Sequence, residues 1–509
     1  MSAYDYIVVG AGSAGCVVAR RLLDALGCRV LLLEAGGPDA AECVHRTDIP
    51  SMTSMWGSPE FVWDYATTPQ PELGGRVVPI PQGRLLGGGS SVNAMMYVRG
   101  NRRDFDGWAA LGNDGWSYDE VLPYFRRSED YPGGSQEYRG SGGPLKVVDY
   151  GSPSDASRAF VRAAIARGRA DGTGDYNGPR QEGLAFFYQS TRDKDGRRSS
   201  ASEAFLAPVL GEPGLTLETG AVVTRLTVEG GRAGGVEYVK DGRTHRAVAE
   251  QEVIVACGAL ASPALLLRSG LGPAAHLREH GVEVVADLPG VGGNLQDHVL
   301  FGVGYESLRE LPFPELLSEA GLFTNVLGGD APDLQFFFGP VQFIDDRYKT
   351  DGPGFTFAPI LLQPRSRGEV RLRPGDPLRP LIDPHYLEAA ADLRLLTEAI
   401  VLARELVSDA AFDSLRGREL APGPDVTSPA GLADYVRASA STVWHPAGTC
   451  RMGRDGEAVV EPDLRVRGVD GLRVADASVM PVITRGNTNA ATIMIAERAA
   501  DLITASARR

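Results

Sequence analysis

Cysteine is scarce in this chain. Its 509 residues hold five (Cys16, Cys28, Cys43, Cys257, Cys450), widely spaced and without a CxxC pair. That argues against a disulfide framework or a cysteine-based zinc site, and it fits a reducing compartment. Positive charge is short as well: 51 Lys+Arg against 65 Asp+Glu give a formal net charge of −14. A nucleic-acid partner would want a basic stripe, and an anionic membrane a basic face, so neither is expected. No uncharged apolar run reaches the roughly 20 residues that span a bilayer. No basic or signal-type stretch precedes the β-rich segment at Tyr4, so a soluble cytoplasmic protein is expected. Internal repeats and low-complexity tracts are missing too. With 43% hydrophobic and 23% charged residues, composition is that of a globular chain long enough for two or three domain-sized units.

Glycine is plentiful, and its placement is informative. Gly10-Ala-Gly-Ser-Ala-Gly15 follows the apolar run Tyr4 to Val9 and opens a segment, Ser13 to Leu26, with apolar residues at helical spacing. A second apolar run, Arg29 to Leu33, ends in Glu34. This spells a β-α-β unit with the GxGxxG spacing: Gly10 for the tight turn, Gly12 for close approach of phosphate, Gly15 for helix–strand packing. Ser13 and Ala14 then open a helix whose N-terminus offers free N–H groups to a pyrophosphate. Glu34 and Ala35 end the second strand, where an acid can bond ribose hydroxyls. A dinucleotide is the expected ligand, NAD or FAD.

A second glycine-rich segment bears on that choice. In Gly83-Arg-Leu-Leu-Gly-Gly-Gly-Ser-Ser-Val-Asn93 three successive positions carry no side chain, while Ser90, Ser91 and Asn93 supply short polar groups. Such backbone can lie along a phosphate or an isoalloxazine edge. Arg84 before it and Asn93 after it are more than a surface turn needs.

Further strand-like runs occur at Leu215 to Glu218, Ala221 to Val228, Gly235 to Val239 and Glu252 to Ala256, the last meeting a helical segment at Ser262 to Arg268. Residues 36–82, rich in Pro, Gly and Trp, suit an ordered cover over a cofactor. Region 299–445 has another character, with Gln335-Phe-Phe-Phe338 and alternating stretches such as Glu369 to Leu372. It reads as a second, mainly antiparallel sheet roofing a pocket. Arg473 to Ala477 and a closing helix, Ala490 to Leu502, return to the nucleotide fold.

On these motifs the chain resembles the glucose–methanol–choline (GMC) oxidoreductases along nearly its whole length. Gly83 to Asn93, running into Met95-Met-Tyr-Val-Arg-Gly100, is similar to the first family signature. Gly258 to Gly272 resembles the second, Leu288-Pro-Gly-Val-Gly-Gly-Asn-Leu-Gln-Asp-His298 the block after it, and Trp444-His-Pro-Ala-Gly-Thr-Cys-Arg-Met-Gly453 the catalytic-histidine block. The resemblance implies an α/β protein: a Rossmann-like FAD domain from 1–150, 191–298 and 446–509, and a substrate domain with a six-stranded antiparallel sheet from 151–190 and 299–445. Some relatives bond FAD through a histidine just before the motif's asparagine; Val92 stands there, which implies non-covalent FAD.

By the same resemblance His445 is the catalytic base and Asn487 its partner at the substrate oxygen. His298 is then structural, as are His45, His245, His276, His280 and His385, and no metal is expected. An unperturbed imidazole, with a pKa of ~6.5, suits proton acceptance near neutrality. Read from the residues alone, Asn487 is equally a helix cap, and the resemblance decides for catalysis; Asn489 is the expected cap. Gly88, Asn93, Ala94, Met95, Val223, Ala256, Trp444, Asp476, Ala477 and Thr488 are implied cofactor contacts, and Val443 a small apolar group near the flavin's reactive face.

The implied activity is oxidation of an alcohol by hydride transfer to flavin, with oxygen or another acceptor taking the electrons. Val443-Trp-His445 and the Phe336–Phe338 cluster favour a primary, aryl or furanic alcohol. A quinone- or carrier-linked dehydrogenase, a natural-product tailoring oxidase, and a non-redox FAD-binding lyase or photodecarboxylase share these motifs and stay open at this point.

Overall fold

The computed structural model describes residues 2–135 and 137–508. Strand β1 (Ser2–Val9), helix α1 (Ser13–Leu26) and strand β2 (Val30–Leu33) form the expected parallel unit. All four β2 residues are buried, because a strand inside a sheet covered on both faces must be apolar both ways. Gly10 has φ +96°, and a Cβ on Gly15 would stand 1.8 Å from the Gly10 carbonyl oxygen. Only glycine passes at either position.

The first sheet runs in the spatial order 215–218, β2, β1, 243–255, 232–240, 222–229, with 472–474 beside 243–255. The strand at Arg243–Val255 is its spine: parallel to β1 and to Leu472–Val474, antiparallel to Arg232–Lys240. It starts nine residues before the apolar run that marks it in the sequence. Within 243–251 only Ala247 and Ala249 are buried, while Arg243 to Arg246, Val248, Glu250 and Gln251 are exposed, so this outer half of a hairpin has no continuous hydrophobic signal. The C-terminal helix, Asn489–Ala507, packs on α1 and is tied to it by Arg21–Glu497 at 2.7 Å.

The second sheet is antiparallel throughout. Six strands follow one another in the order 416–421, 303–307, 354–361, 334–339, 320–324, 185–187, and short strands Val299–Leu300 and Ser441–Thr442 extend it to eight. The stretch at 369–372 does not join it: Glu369–Arg371 pairs with Leu381–Asp383 in a separate ribbon. Helices Asp155–Ala166 and Ala390–Val407 cover one face of the large sheet, burying Phe160 against Phe336, Phe338 and Phe357. Strand alternation divides the phenylalanine cluster. Phe336 and Phe338 belong to that core, and Phe337 alone turns to the other face and a cavity. Among the described residues no helix is long and apolar enough to cross a membrane, and the five cysteines are free thiols.

Candidate active site

One cavity of about 720 Å³ runs between the two sheets. Its first part is the glycine turn. Gly10, Gly12, Ser13 and Ala14 line it beside Glu34 and Ala35 at the end of β2, with Val223 and Ala256 from neighbouring strands. The α1 N-terminus begins at Gly12, and no side chain caps it, so its N–H groups are left to a ligand. Glu34 is fully buried and accepts the N–H of Ala11 at 2.9 Å and of Gly36 at 2.8 Å; burial pushes its carboxyl upward. Asp476 is likewise spent on its surroundings, accepting from Gly258 N (2.9 Å), Ser262 Oγ (2.6 Å) and Ser478 N (2.8 Å). It braces the turn that presents Ala477.

The second glycine segment crosses the first. Gly88, Asn93, Ala94 and Met95 line the cavity with Val92. Asn93 has a fixed amide orientation: its Oδ1 accepts from Arg198 Nη1 at 2.9 Å and from Met95 N at 3.1 Å, which leaves its two N–H bonds for the cavity. Arg198 is fully buried, makes no ion pair among the described residues, and also donates to the carbonyls of Val44, Ser90 and Asn93. Burial draws its pKa down to about 9. Nothing in its sequence context, a charged turn at 193–198, distinguishes it from a surface arginine.

His445 and Asn487 both face the far part of the cavity. His445 Nδ1 meets His298 Nδ1 at 3.0 Å, and His298 Nε2 meets the carbonyl oxygen of Leu362 at 3.0 Å. A carbonyl only accepts, so His298 carries its proton on Nε2 and its Nδ1 accepts. His445 must then donate from Nδ1, leaving the lone pair of Nε2 without a protein partner. Both rings are neutral near pH 7: burial lowers His298 to about 4, and burial together with His298 holds His445 well below the ordinary histidine value.

Asp297 fixes the backbone here. Its Oδ1 accepts the N–H of His445 at 2.8 Å, and its Oδ2 accepts from Tyr386 Oη at 2.5 Å and from Thr442 Oγ1. Thr442 Oγ1 in turn accepts the N–H of Trp444 at 2.7 Å. Trp444 sits at φ +61°, a conformation that costs a bulky residue about 1–3 kcal/mol and persists where its surroundings impose it. The Trp444 ring meets Trp56 edge-on at 4.7 Å, and both line the cavity. Asn487 has its Oδ1 buried without a partner, and its side chain makes no cap. Thr488 is the N-cap residue of the C-terminal helix. Asn489, expected as the cap, is instead the first helical residue, and its Oδ1 accepts from Ser13 Oγ at 2.7 Å, joining that helix to the glycine turn.

The cavity thus gathers the sequence-derived residues with two exceptions. Gly15 packs beneath the turn. Arg84 stacks its guanidinium over the Trp63 ring at 4.6 Å and does not reach the cavity; a long side chain beside an indole face gains more there than in water. Sequence reading missed Asp297 and passed over His298 as merely structural, although the block Gln296-Asp-His298 marks both. Among the described residues the one grouping with metal-ligand chemistry is His276, Glu279 and His280. None of the three lines the cavity, and His276 Nε2 already accepts the N–H of Leu372 at 3.1 Å.

These features fit FAD. An uncapped helix N-terminus lies at one end, a side-chain-free cradle of Gly12 and Gly88 in the middle, and an imidazole with a free Nε2 beside an amide with an unpartnered oxygen at the other.

The family model for GMC oxidoreductase matches twice, over residues 4–300 and 364–496. The chain is 38% identical to an oxygen-dependent choline dehydrogenase of Brucella suis, over 98% of this chain and 95% of that one. Among solved structures it is similar to pyridoxine 4-oxidase from Mesorbium loti, with 35% identity, a TM-score of 0.91 and 98% of each chain covered. A formate oxidase of Aspergillus oryzae, in a structure concerned with FAD modification, superposes at 26% identity and a TM-score of 0.90 over 100% of this chain and 99% of that one. With both family segments in place across two interlocked sheets, the chain belongs to the GMC oxidoreductase family.

Proposed function

We propose that this protein oxidises a primary alcohol, foremost an aryl or furanic one, to the carbonyl, with FAD held non-covalently. The observation that carries this reading is the lone pair on His445 Nε2, set toward the cavity by the chain from Leu362 through His298. His445 takes the hydroxyl proton of the alcohol at that atom. Its depressed pKa keeps it competent as a base well into mildly acidic solution. Asn487 donates an amide N–H to the substrate oxygen and holds it against the base. Asp297, anchored on the His445 N–H, keeps the ring in place through the strained turn at Trp444. FAD, when bound, supplies the two-electron acceptor for the carbinol hydrogen.

Val443, Leu300, Phe337 and Trp56 keep water from the reacting atoms and offer apolar and aromatic faces to the substrate. The residues to hold FAD are those of the glycine turn and Glu34 at the adenosine end, Gly88 to Met95 and Ala477 along the middle, and Thr488 at the start of the C-terminal helix, whose positive end faces the cavity. Val92 offers no nucleophile for a covalent link. The cofactor unit comprises 1–150, 191–298 and 446–509, and the substrate unit the remainder. The protein works in the cytoplasm, with oxygen or another acceptor taking the electrons onward.

The test is an anaerobic panel of benzyl, furfuryl, aliphatic, sugar and choline alcohols, scored by loss of flavin absorbance. Benzyl and furfuryl alcohols are expected to bleach the protein fastest, and admission of air separates oxygen from another acceptor. A purified protein that stays colourless after incubation with FAD, or one that no alcohol bleaches, ends this reading.

A further inference from the structure

The cavity does not stop at the base. Val299 pairs antiparallel with Thr442 and Leu300 with Ser441, and this register orders the lining residues outward from His445: Val443 first, then Leu300 opposite Ser441, then Gly302 and Ser439. Gly302 leaves room for the overlying loop, since a Cβ there would stand 2.3 Å from the Phe343 carbonyl oxygen. The first stretch of this passage is apolar. Its outer end is not.

Arg76 lines the cavity at that outer end. Its Nη2 donates to the carbonyls of Arg437 (2.9 Å) and Ala440 (2.7 Å), and its Nε to that of Leu73 (3.3 Å). Its Nη1 has no partner among the described residues. The other cations of this end already face carboxylates: Arg347 faces Asp345 at 3.6 Å, Lys349 faces Asp346 at 2.7 Å, and Arg437 faces Glu72 at 3.7 Å. Arg76 is half-buried and makes no ion pair among the described residues; the carboxylate that acts on it from a distance, Asp345, lines the same cavity and is already shared with Arg347. Ser439, on the same wall, has a buried Oγ without a hydrogen-bond partner. A half-buried guanidinium with free N–H bonds beside an unused hydroxyl is what a carboxylate requires for charge-assisted hydrogen bonds.

We propose that Arg76 and Ser439 form an outer subsite for a carboxylate carried on the end of the substrate opposite its hydroxyl, so that hydroxy acids are preferred over plain alcohols. This rests on His445 as the base, and it fixes the substrate's orientation: carbinol at His445 and Asn487, apolar body along Leu300 and Val443, anion at Arg76. Ala440 lies only five positions before His445, a backbone span of at most ~18 Å, so one small molecule can reach both ends.

The experiment compares 4-(hydroxymethyl)benzoate, 4′-(hydroxymethyl)biphenyl-4-carboxylate and 12-hydroxydodecanoate, each with its methyl ester, in the holoenzyme. At least one acid is expected to show a KM about tenfold to hundredfold below that of its ester, with similar kcat. Arg76→Gln, which keeps an N–H donor for the carbonyls, is expected to abolish that gap and leave the esters nearly unchanged. Ser439→Ala narrows the gap several-fold and serves if Arg76→Gln does not fold. A purely structural clamp would move acid and ester together in either variant, and that result overturns the subsite. So does a wild-type enzyme that turns over all esters at least as well as the acids. If neither acids nor esters bleach the flavin while simple alcohols do, the subsite falls and the reading of His445 stands; if no alcohol bleaches it, both fall.

Discussion

Gly12 and Gly88 meet backbone to backbone: a Cβ on Gly88 would stand 2.7 Å from the Gly12 Cα. The two glycine-rich segments, separate in sequence, therefore build one cradle. Gly88 also has φ +51°, a conformation that favours glycine. Gly88→Ala is expected to cost about 1–3 kcal/mol through strain and the forced separation of the two loops. The readouts are flavin-to-protein absorbance ratio and thermal midpoint. A variant purified as yellow and as stable as the parent would show that the contact can relax.

The His298–His445 pair separates positioning from chemistry. His445→Ala is expected to keep its yellow colour and lose about 10²–10⁴-fold in the rate of anaerobic flavin reduction, the usual worth of a general base. His298→Ala frees the His445 ring and loses the fixed tautomer, costing up to about 10²-fold. It also removes one of the two causes that hold the His445 pKa down, so the limb of kcat/KM set by His445 itself, seen alone in an Asp297→Asn background, is expected to move to higher pH. A rate loss with an unmoved limb would mean that His298 only fills space.

How legible all this was in the sequence depended on how local the signal is. Gly10, Gly15 and Val30 to Leu33 declare the nucleotide fold because a tight turn and a doubly covered strand each demand particular residues in succession. The long strand at Arg243–Val255 was half hidden, since its outer half faces solvent. Phe336 to Phe338 looked like a pocket cluster, yet the strand's two-residue period sends two of the three into the core. His445 and Asn487 were visible through long motifs. The placement of Arg198 on Asn93 and of Arg76 at the cavity was not, for what an arginine meets is decided by what tertiary folding brings beside it. Arg84 misled for the same reason.

Glu497 ties the C-terminal helix to its neighbours. It is fully buried, pairs with Arg21 at 2.7 Å and Arg127 at 2.6 Å, and accepts from Ser128 Oγ at 3.0 Å. Glu497→Gln removes the buried anion that the two guanidiniums share at nearly constant volume, and leaves Arg127 with Asp501 at 3.0 Å and Arg21 with Asp24 at 3.8 Å. Breaking a buried pair costs about 3–5 kcal/mol, less here because the arginines are partly exposed. A thermal midpoint lowered by several degrees is expected, with flavin reduction at 25 °C almost unchanged. Unchanged stability would show that the network makes no net contribution.

Asp297 gives the site a titration of its own. Burial raises its pKa to about 6, against the opposing pull of bonds from Thr442, Tyr386 and the His445 N–H. The folded protein therefore holds this proton more tightly than the unfolded chain, where an aspartate titrates near 3.9. The sign follows: stability from this group is present below about pH 4, declines as pH rises to about 6, and above that the buried charge costs about 3 kcal/mol. Asp297→Asn keeps an oxygen for the His445 N–H and presents its amide N–H bonds to the two hydroxyls. Relative to the parent, its stability in urea is expected to improve between pH 4 and 7. Activity should respond with the opposite sense. His445 stays neutral well below its ordinary range, so the first loss of kcat/KM on acidification is expected near pH 6, as Asp297 takes up its proton and the charge beside the base disappears. In Asp297→Asn that limb is absent, and the profile stays flat down to the titration of His445 itself. A limb near pH 6 that survives the substitution would assign it to another group and leave Asp297 as scaffolding for the turn at Trp444.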